Sequence, residues 1–219
     1  MSEFRRRLMI GGARTPGGEL SDYVQSGLVL HLDGKSGKSG STWTSVVGSV
    51  SFTNNNATFN DDNISFNGSS SYLSNTSFTT PLDTVGTIEI CFEKSGSGNG
   101  IMYMPATDKA LALGIFNSKA VWTANASKKS VYSVSQNKGI ISINNDLAIM
   151  NGVSMTSSGT DFWTGRITTT YIGRRGSGNI YYYSGKIYSI RIYERKLSQE
   201  EIIHNQKVDN VRFNLGLSI

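Results

Sequence analysis

The sequence is poor in the residues that build disulfide scaffolds, metal clusters and catalytic dyads. One cysteine and two histidines occur among 219 residues. Cys91 has no second cysteine to pair with and cannot form a zinc cluster alone. His31 falls in a strand-like run and His204 in a helix-like one, so no Ser–His–Asp set is credible. Proline is scarce, with 3 residues, and charged residues make up only 17%. No apolar run approaches the ~18 residues of a membrane span, so no membrane partner is expected. Behind Arg5, Arg6 and Arg7 only Leu8, Met9 and Ile10 precede Gly11-Gly12. A secretory signal needs an apolar stretch of ~7–15 residues. The expectation is a protein made in the cytoplasm that does not leave by that route. The net charge is +5 with pI about 9.3, and three of the charges are those adjacent arginines. No basic stripe is interleaved with aromatics, so no nucleic-acid partner is expected.

What is present is glycine (24 residues), serine, threonine and asparagine, with 9 Phe, 10 Tyr and 3 Trp. The small polar residues favour turns and sheets over helices, and the aromatics exclude wholesale disorder. A chain of this length can bury ~70% of its surface without a staple. Strand-like runs follow one another from Gly27 onward. They include Leu28 to Leu32, Ile64 to Phe66, Thr87 to Glu93, Ile140 to Ile143 and Ile180 to Tyr193. Asn67-Gly68 marks a turn, and Asn151-Gly152 between Met150 and Val153 marks a tight hairpin. Ile187, Ile190 and Ile192 do not alternate strictly, which predicts a bulge near Tyr188-Ser189. One helix is expected: Ser198-Gln199-Glu200-Glu201 is a capping box. Leu197 serves as its staple onto Ile202, and the helix ends near Asp209. The tail Val211 to Leu217 reads as strand. The sum is an all-β fold, two packed antiparallel sheets with a short C-terminal helix.

Residues 1–20 differ from the rest. Phe4, Arg5, Arg6, Arg7, Leu8 and Met9 run into a Gly-rich stretch that is a linker by composition. The reading is an N-terminal attachment arm, 1–20, before a domain, 21–219. A lone monomer has little reason to display that apolar set, so partners and several assembled copies are expected.

The C-terminal region carries a resemblance. Tyr171-Ile172-Gly173, Tyr183-Ser184-Gly185-Lys186-Ile187, Arg191-Ile192-Tyr193 and Leu197-Ser198 to Ile202 occur in that order. With Ile64 to Gly68, Ala148 to Gly152 and Ser26 to Asp33, they cover about Gly27 to Phe213. The chain resembles the laminin-G-like, concanavalin-A-like lectin/glucanase family. The resemblance implies a two-sheet jelly roll. It also implies one of three functions: a glycan- or protein-binding module, a glycan-active enzyme, or a bacterial surface lectin. The arm loosely resembles the starts of structural proteins from tailed phages of gut Bacteroidetes. That favours a virion surface protein such as a head fibre, decoration protein or tail adhesin, joined to other virion proteins through the arm.

The residues bear on three chemistries: hydrolysis, calcium binding and sugar binding. Glu89-Ile90-Cys91-Phe92-Glu93 has the spacing of the glucanase Glu-x-Asp-x-Glu strand with Cys91 in the middle. A retaining hydrolase holds its carboxylates about 5–5.5 Å apart, whereas residues i and i+4 on a strand lie ~13 Å apart. Two solvent-facing carboxylates on an edge-like strand, and no enzyme activity, are expected. Calcium is possible at Asn60-Asp61-Asp62-Asn63, the one dense cluster of hard oxygens, though a solvated acidic turn accounts for it more simply. Sugar binding needs aromatic faces with polar groups around them. Trp122, Trp163 and Tyr182 are the candidate platforms, and Arg174 and Arg175, in a Gly-rich loop, the candidate donors.

Overall fold

Along Thr87–Lys94 the residues Ile88, Ile90 and Phe92 share one face of a strand, and Thr87, Glu89 and Cys91 share the other. That alternation repeats through the molecule and sets its layers. The computed structural model describes residues 18–78, 86–95, 100–105, 110–116, 119–123, 129–134, 136–144, 147–156, 170–175 and 180–219. After a 3-10 turn at Leu20–Asp22 come β1 (Leu28–Asp33), β2 (Lys38–Ser39), β3 (Thr42–Thr44), β4 (Ser51–Asn55), β5 (Thr58–Phe59), β6 (Ile64–Asn67) and β7 (Tyr72–Asn75). Then follow β8 (Thr87–Lys94), β9 (Gly100–Pro105), β10 (Ala110–Phe116), β11 (Lys119–Thr123), β12 (Lys129–Ser133), β13 (Lys138–Ile143) and β14 (Ala148–Met150). The chain closes with β15 (Val153–Ser154), β16 (Thr170–Ile172), β17 (Arg174–Arg175), β18 (Ile180–Tyr182), β19 (Ser184–Tyr193) and helix α1 (Gln199–Arg212).

Among the described residues one sheet runs β15-β14-β13-β8-β19-β6-β5, with β1 along the second half of β19. The other runs β12-β11-β10-β9-β16-β7-β4-β3-β2, and β17 and β18 form a separate ribbon. The pairings are antiparallel, as in β8 with β13 and β19. The two sheets face each other across one core. Leu30, Leu32, Phe66, Ile88, Ile90 and Phe92 come from the first, and Trp43, Phe52, Leu73 and Ile172 from the second. This is the two-sheet jelly-roll sandwich expected from the sequence.

Local signals account for several joints. Asn151 (φ 50°) and Gly152 (φ 79°) make the two-residue turn between β14 and β15, both in the left-handed region that an Asn-Gly hairpin uses. The register of β19 against β8 slips between Ile187 and Ser189. That bulge lets Ile187, Ile190 and Ile192 all face the core. Gly185 has φ 145°, and a Cβ there would lie 2.2 Å from the carbonyl of Glu93, so no other residue fits. The capping box of α1 is formed, with Glu201 N donating to Ser198 Oγ at 3.2 Å and Ser198 N donating to Glu201 Oε2 at 2.9 Å.

Three expectations need correction. The helix runs on to Arg212, and the tail behind it is not a strand. Phe213 and Leu215 instead pack on Cys91, Ile140 and Tyr188, covering the outer face of the first sheet. Next, β8 is not an edge: it lies between β13 and β19, and Glu89 is fully buried beneath α1. Its neighbour Glu93 is part-exposed. Finally, Arg174 and Arg175 lie not in a loop but in strand β17, and Arg174 is only 6% exposed.

Residues 18–26 strap across α1. The Gly18 carbonyl accepts from Arg212 Nη1 at 2.9 Å, and Val24 N donates to Asn205 Oδ1 at 2.9 Å. The arm residues Phe4, Arg5, Arg6, Arg7, Leu8 and Met9 lie outside the described residues. Among the described residues no helix is long and apolar enough to cross a membrane.

Candidate functional site

Among the described residues two places that could bear on function stand out, and they differ in access. The first is sealed between α1 and the outer face of the first sheet. Arg191 Nε donates to Glu89 at 2.9 Å, and its two terminal nitrogens donate to the carboxylate of Asp209 at 2.8 and 2.6 Å. Asn205 donates to Glu89 at 2.8 Å, Ser142 to Glu89 at 2.9 Å, and Gln206 to Ser142 at 2.9 Å. The Tyr23 phenol donates to Asp209 at 2.8 Å and its ring lies 4.3 Å from the Arg191 guanidinium. Burial pushes the Glu89 carboxyl up, and Arg191 only partly offsets it. Arg191 is held well above its ordinary value: burial works against the charge, but Asp209 and Glu89 outweigh it. No face of this network reaches solvent, so it joins helix to sheet rather than meeting a ligand. His31, in β1, is buried beside it, and His204 on α1 hydrogen-bonds the Asp22 carbonyl at 2.6 Å.

The second place is the outward face of the nine-stranded sheet. In β7, Leu73 points to the core while Tyr72 and Ser74 point out. In β16, Ile172 points in and Tyr171 out. Register brings the outward residues side by side: Tyr171 stands opposite Ser74, Ser74 opposite Thr53, Thr53 opposite Thr42, and Tyr72 opposite Asn55. Asn55 Nδ2 donates to Ser74 Oγ at 3.3 Å. Arg174 enters this face from the ribbon, where it is paired with Tyr182. Its guanidinium lies 4.0 Å from the centre of the Tyr72 ring and 4.0 Å from that of Tyr171. The two rings are 6.2 Å apart at 66°, and the Tyr182 ring lies 6.4 Å from Tyr72. Three half-buried tyrosines, one cation and a row of neutral hydroxyls and amides thus form one surface. Such a surface offers flat apolar area and short-range hydrogen bonding together.

The structure therefore brings together two of the residues singled out from sequence, Arg174 and Tyr182. Arg175 follows Arg174 in β17, opposite Ile180. Trp122 stands in β11 with its Cα opposite Leu113 and Ser130, in the cross-strand row that starts at Leu73 and Ile172 and passes through Met102. The side chains of Arg175 and Trp122, and all of Trp163, lie outside the described residues. Sequence reasoning missed Tyr72 and Tyr171. Their signal was the in–out alternation Tyr72-Leu73 and Tyr171-Ile172, which puts a tyrosine outside wherever its neighbour enters the core.

A separate cleft of about 650 Å³ lies where the two sheets end, between Ser133 of β12, Met150, Asn151, Val153 and the tail at Leu217. Among the described residues no group of three His, Cys, Asp or Glu side chains is placed to hold a metal ion.

No protein-family model matches the sequence, and no curated protein matches it. Solved structures do match in fold. A Trypanosoma rangeli sialidase in complex with sialic acid superposes with TM-score 0.63 at 17% identity over 84% of this chain and 33% of the sialidase. The botulinum neurotoxin serotype D binding domain gives TM-score 0.64 at 15% identity over 81% of this chain and 50% of that domain. A botulinum neurotoxin type C structure, whose cell entry depends on interaction with two ganglioside molecules, gives 0.61 at 13% identity over 83% and 51%. The chain spans about a third of the sialidase and about half of the toxin structures. These likenesses establish the β-sandwich. They also overturn the expectation of a chain without enzyme activity. The sandwich is shared with structures of a sialidase, including a mutant displaying trans-sialidase activity, so Cys91 between Glu89 and Glu93 is no ground for excluding catalysis.

Proposed function

We propose that the domain binds a glycan on the outward face of the nine-stranded sheet. Tyr72, Tyr171 and Tyr182 supply the flat surfaces, Ser74, Asn55 and Thr53 the hydrogen-bonding edges, and the buried Arg174 holds the rings in place. The observation that carries this reading is the Arg174 guanidinium held 4.0 Å from both Tyr72 and Tyr171. A sugar ring presents an apolar C–H face and a rim of hydroxyls, and it needs both kinds of group within one ring's width. An arginine fixed between two rings gives up little further freedom when a ligand arrives. The ganglioside dependence of the type C neurotoxin and the sialic acid complex of the sialidase support the same ligand class. A glycan array with the wild-type chain, Tyr72→Ala and Tyr171→Ala tests it. The wild type retains a defined set of glycans, and each variant weakens binding at least about tenfold, near 1.4 kcal/mol. An array with no retained glycan, or variants that bind as the wild type does, contradicts the reading.

A second reading, a glycan-cleaving enzyme, is favoured by the sialidase likeness. The part-exposed Glu93 accepts from the Tyr188 phenol at 2.8 Å, a carboxylate–phenol pair on the first sheet. Burial, with Glu93, pushes the Tyr188 phenol up, so it stays protonated. Turnover of a fluorogenic sialoside, lost in Glu93→Gln, would favour this reading.

We also propose, on the sequence of the arm alone, that the chain is a virion surface protein. Phe4 to Met9 would join it to other virion proteins, and several copies would assemble to display the sandwich.

A further inference from the structure

Lys38 opens β2, and its side chain leaves the sheet for a pocket of main-chain oxygen. Nζ donates to the carbonyls of Gly34 and Asn60, and to that of Asp61 at 3.1 Å. An ammonium has three donors and no acceptor, so three carbonyls satisfy it completely. The loop that supplies two of them is closed by its own side chains. Asn60 Nδ2 donates to Asn63 Oδ1 and Ser65 Oγ, both at 2.8 Å, and Asn63 Nδ2 donates to Asp62 Oδ1 at 2.6 Å. The third carbonyl is that of Gly34, packed so near the Asp62 carbonyl that a Cβ would lie 2.2 Å from it. Burial lowers the pKa of Lys38, while the carboxylates of Asp33, Asp62 and Asp61 act to keep it charged.

Converging carbonyl oxygens with carboxylates around them are the donor set of a hard divalent cation such as calcium. Here they converge on a charge that the chain itself carries. We infer that the Lys38 ammonium is the resident cation of an all-oxygen site built by Gly34, Asn60 and Asp61, and that removing it turns this place into a divalent-cation site. The ammonium ties the β1–β2 connection to the 60–63 loop, the work a bound metal would otherwise do. One positive charge is thereby set against the two carboxylates of Asn60 to Asn63, an acidic cluster in the sequence.

Trp43 provides a reporter. It is the Cα partner of Lys38, and its indole nitrogen donates to the carbonyls of Asp33 and Ser36 at 3.0 and 3.2 Å, on either side of Gly34 and Lys35. The test uses the full chain and the variants Lys38→Met and Lys38→Gln, with calcium and with terbium as a luminescent hard-cation probe. For the wild type, calcium and chelator leave the melting temperature unmoved, and terbium gives no tryptophan-sensitised emission at this site. Each variant melts about 5–10 °C lower without metal and recovers in calcium along a saturable curve. Each also gives terbium emission that calcium displaces and that Trp43→Phe abolishes. A variant that folds only in calcium gives the same answer. Variants that ignore calcium and terbium overturn the inference. So do variants that fail to fold in either condition, and a wild type that binds terbium as they do.

Discussion

His31 is a basic residue that the fold keeps neutral. Its ring is buried edge-on against Tyr23, with centroids 4.9 Å apart. Burial, with the positive charge of Arg191 behind it, lowers its pKa to about 3. An unfolded histidine takes its proton near pH 6.5. Between pH 6.5 and about 3 the unfolded chain therefore holds a proton that the native one does not, and stability rises with pH across that window. Above it the contribution is constant. Asp33 acts in the same sense lower down. Burial raises its pKa, but the hydrogen bonds and charge of Arg212 outweigh that and lower it, so its contribution fades as pH falls through the carboxylate range. Glu89, raised by burial, works in the opposite sense. Comparing wild type with His31→Phe isolates the histidine. Urea titrations from pH 7 to 4.5 show the wild type losing more stability than the variant, by up to about 1.4 kcal/mol per pH unit. Parallel pH profiles would show that His31 is not held neutral. Nothing in Leu28-Val29-Leu30-His31-Leu32 reveals this, because the neutral state depends on groups outside that run: Tyr23, just before it, and Arg191, far along the chain in β19.

Helix α1 shows which parts of an element are local and which are not. Its start was legible: Ser198 and Glu201 cap each other, and Leu197 and Ile202 share one apolar cluster. Its docking face was not. Ile202, Asn205, Gln206, Val208 and Asp209 are the buried residues of the helix, yet three of the five are polar, and an apolar stripe is the usual sign of a buried face. They are buried because β8, β13 and β19 present Glu89, Ser142 and Arg191 to receive them. The same contrast runs through the sheets. The Asn-Gly hairpin and the bulge at Tyr188-Ser189 follow from a few adjacent residues. That Asn67 to Ser71 carries the chain from one sheet to the other, from β6 to β7, does not. The helix–sheet joint gives the prediction at this scale. Arg191→Met leaves Glu89 and Asp209 buried without their cation, and breaking such a pair costs about 3–5 kcal/mol. Chemical denaturation should show a loss of that size. A loss under 1 kcal/mol would mean that apolar packing alone holds the helix down.

For the whole molecule, the sandwich follows from alternation and turn residues summed over the chain, whereas its functional surface depends on which sheet and which face each residue joins. Arg174 and Tyr182 were identifiable as polar and aromatic residues beside a Gly-rich run. Their grouping with Tyr72 and Tyr171 required the β7–β16 pairing, which joins segments about a hundred residues apart. The arm poses a different question, since residues 18–26 already belong to the folded body through Arg212 and Asn205. Deletion of residues 2–17 is therefore expected to leave a folded domain with unchanged glycan binding, and, on the proposal that the arm is an attachment element, one that no longer joins a particle or oligomer. Light scattering and incorporation assays check this, and normal incorporation would place attachment on the sandwich. Titrating an array-selected glycan into isotope-labelled protein and mapping backbone amide shifts tests whether the tyrosine–arginine face is where a glycan binds. The expected shifts centre on Asn55, Tyr72, Ser74, Tyr171 and Arg174 and are abolished in Tyr171→Ala. Shifts centred instead on the cleft between Met150 and Leu217, or persisting in that variant, would contradict it.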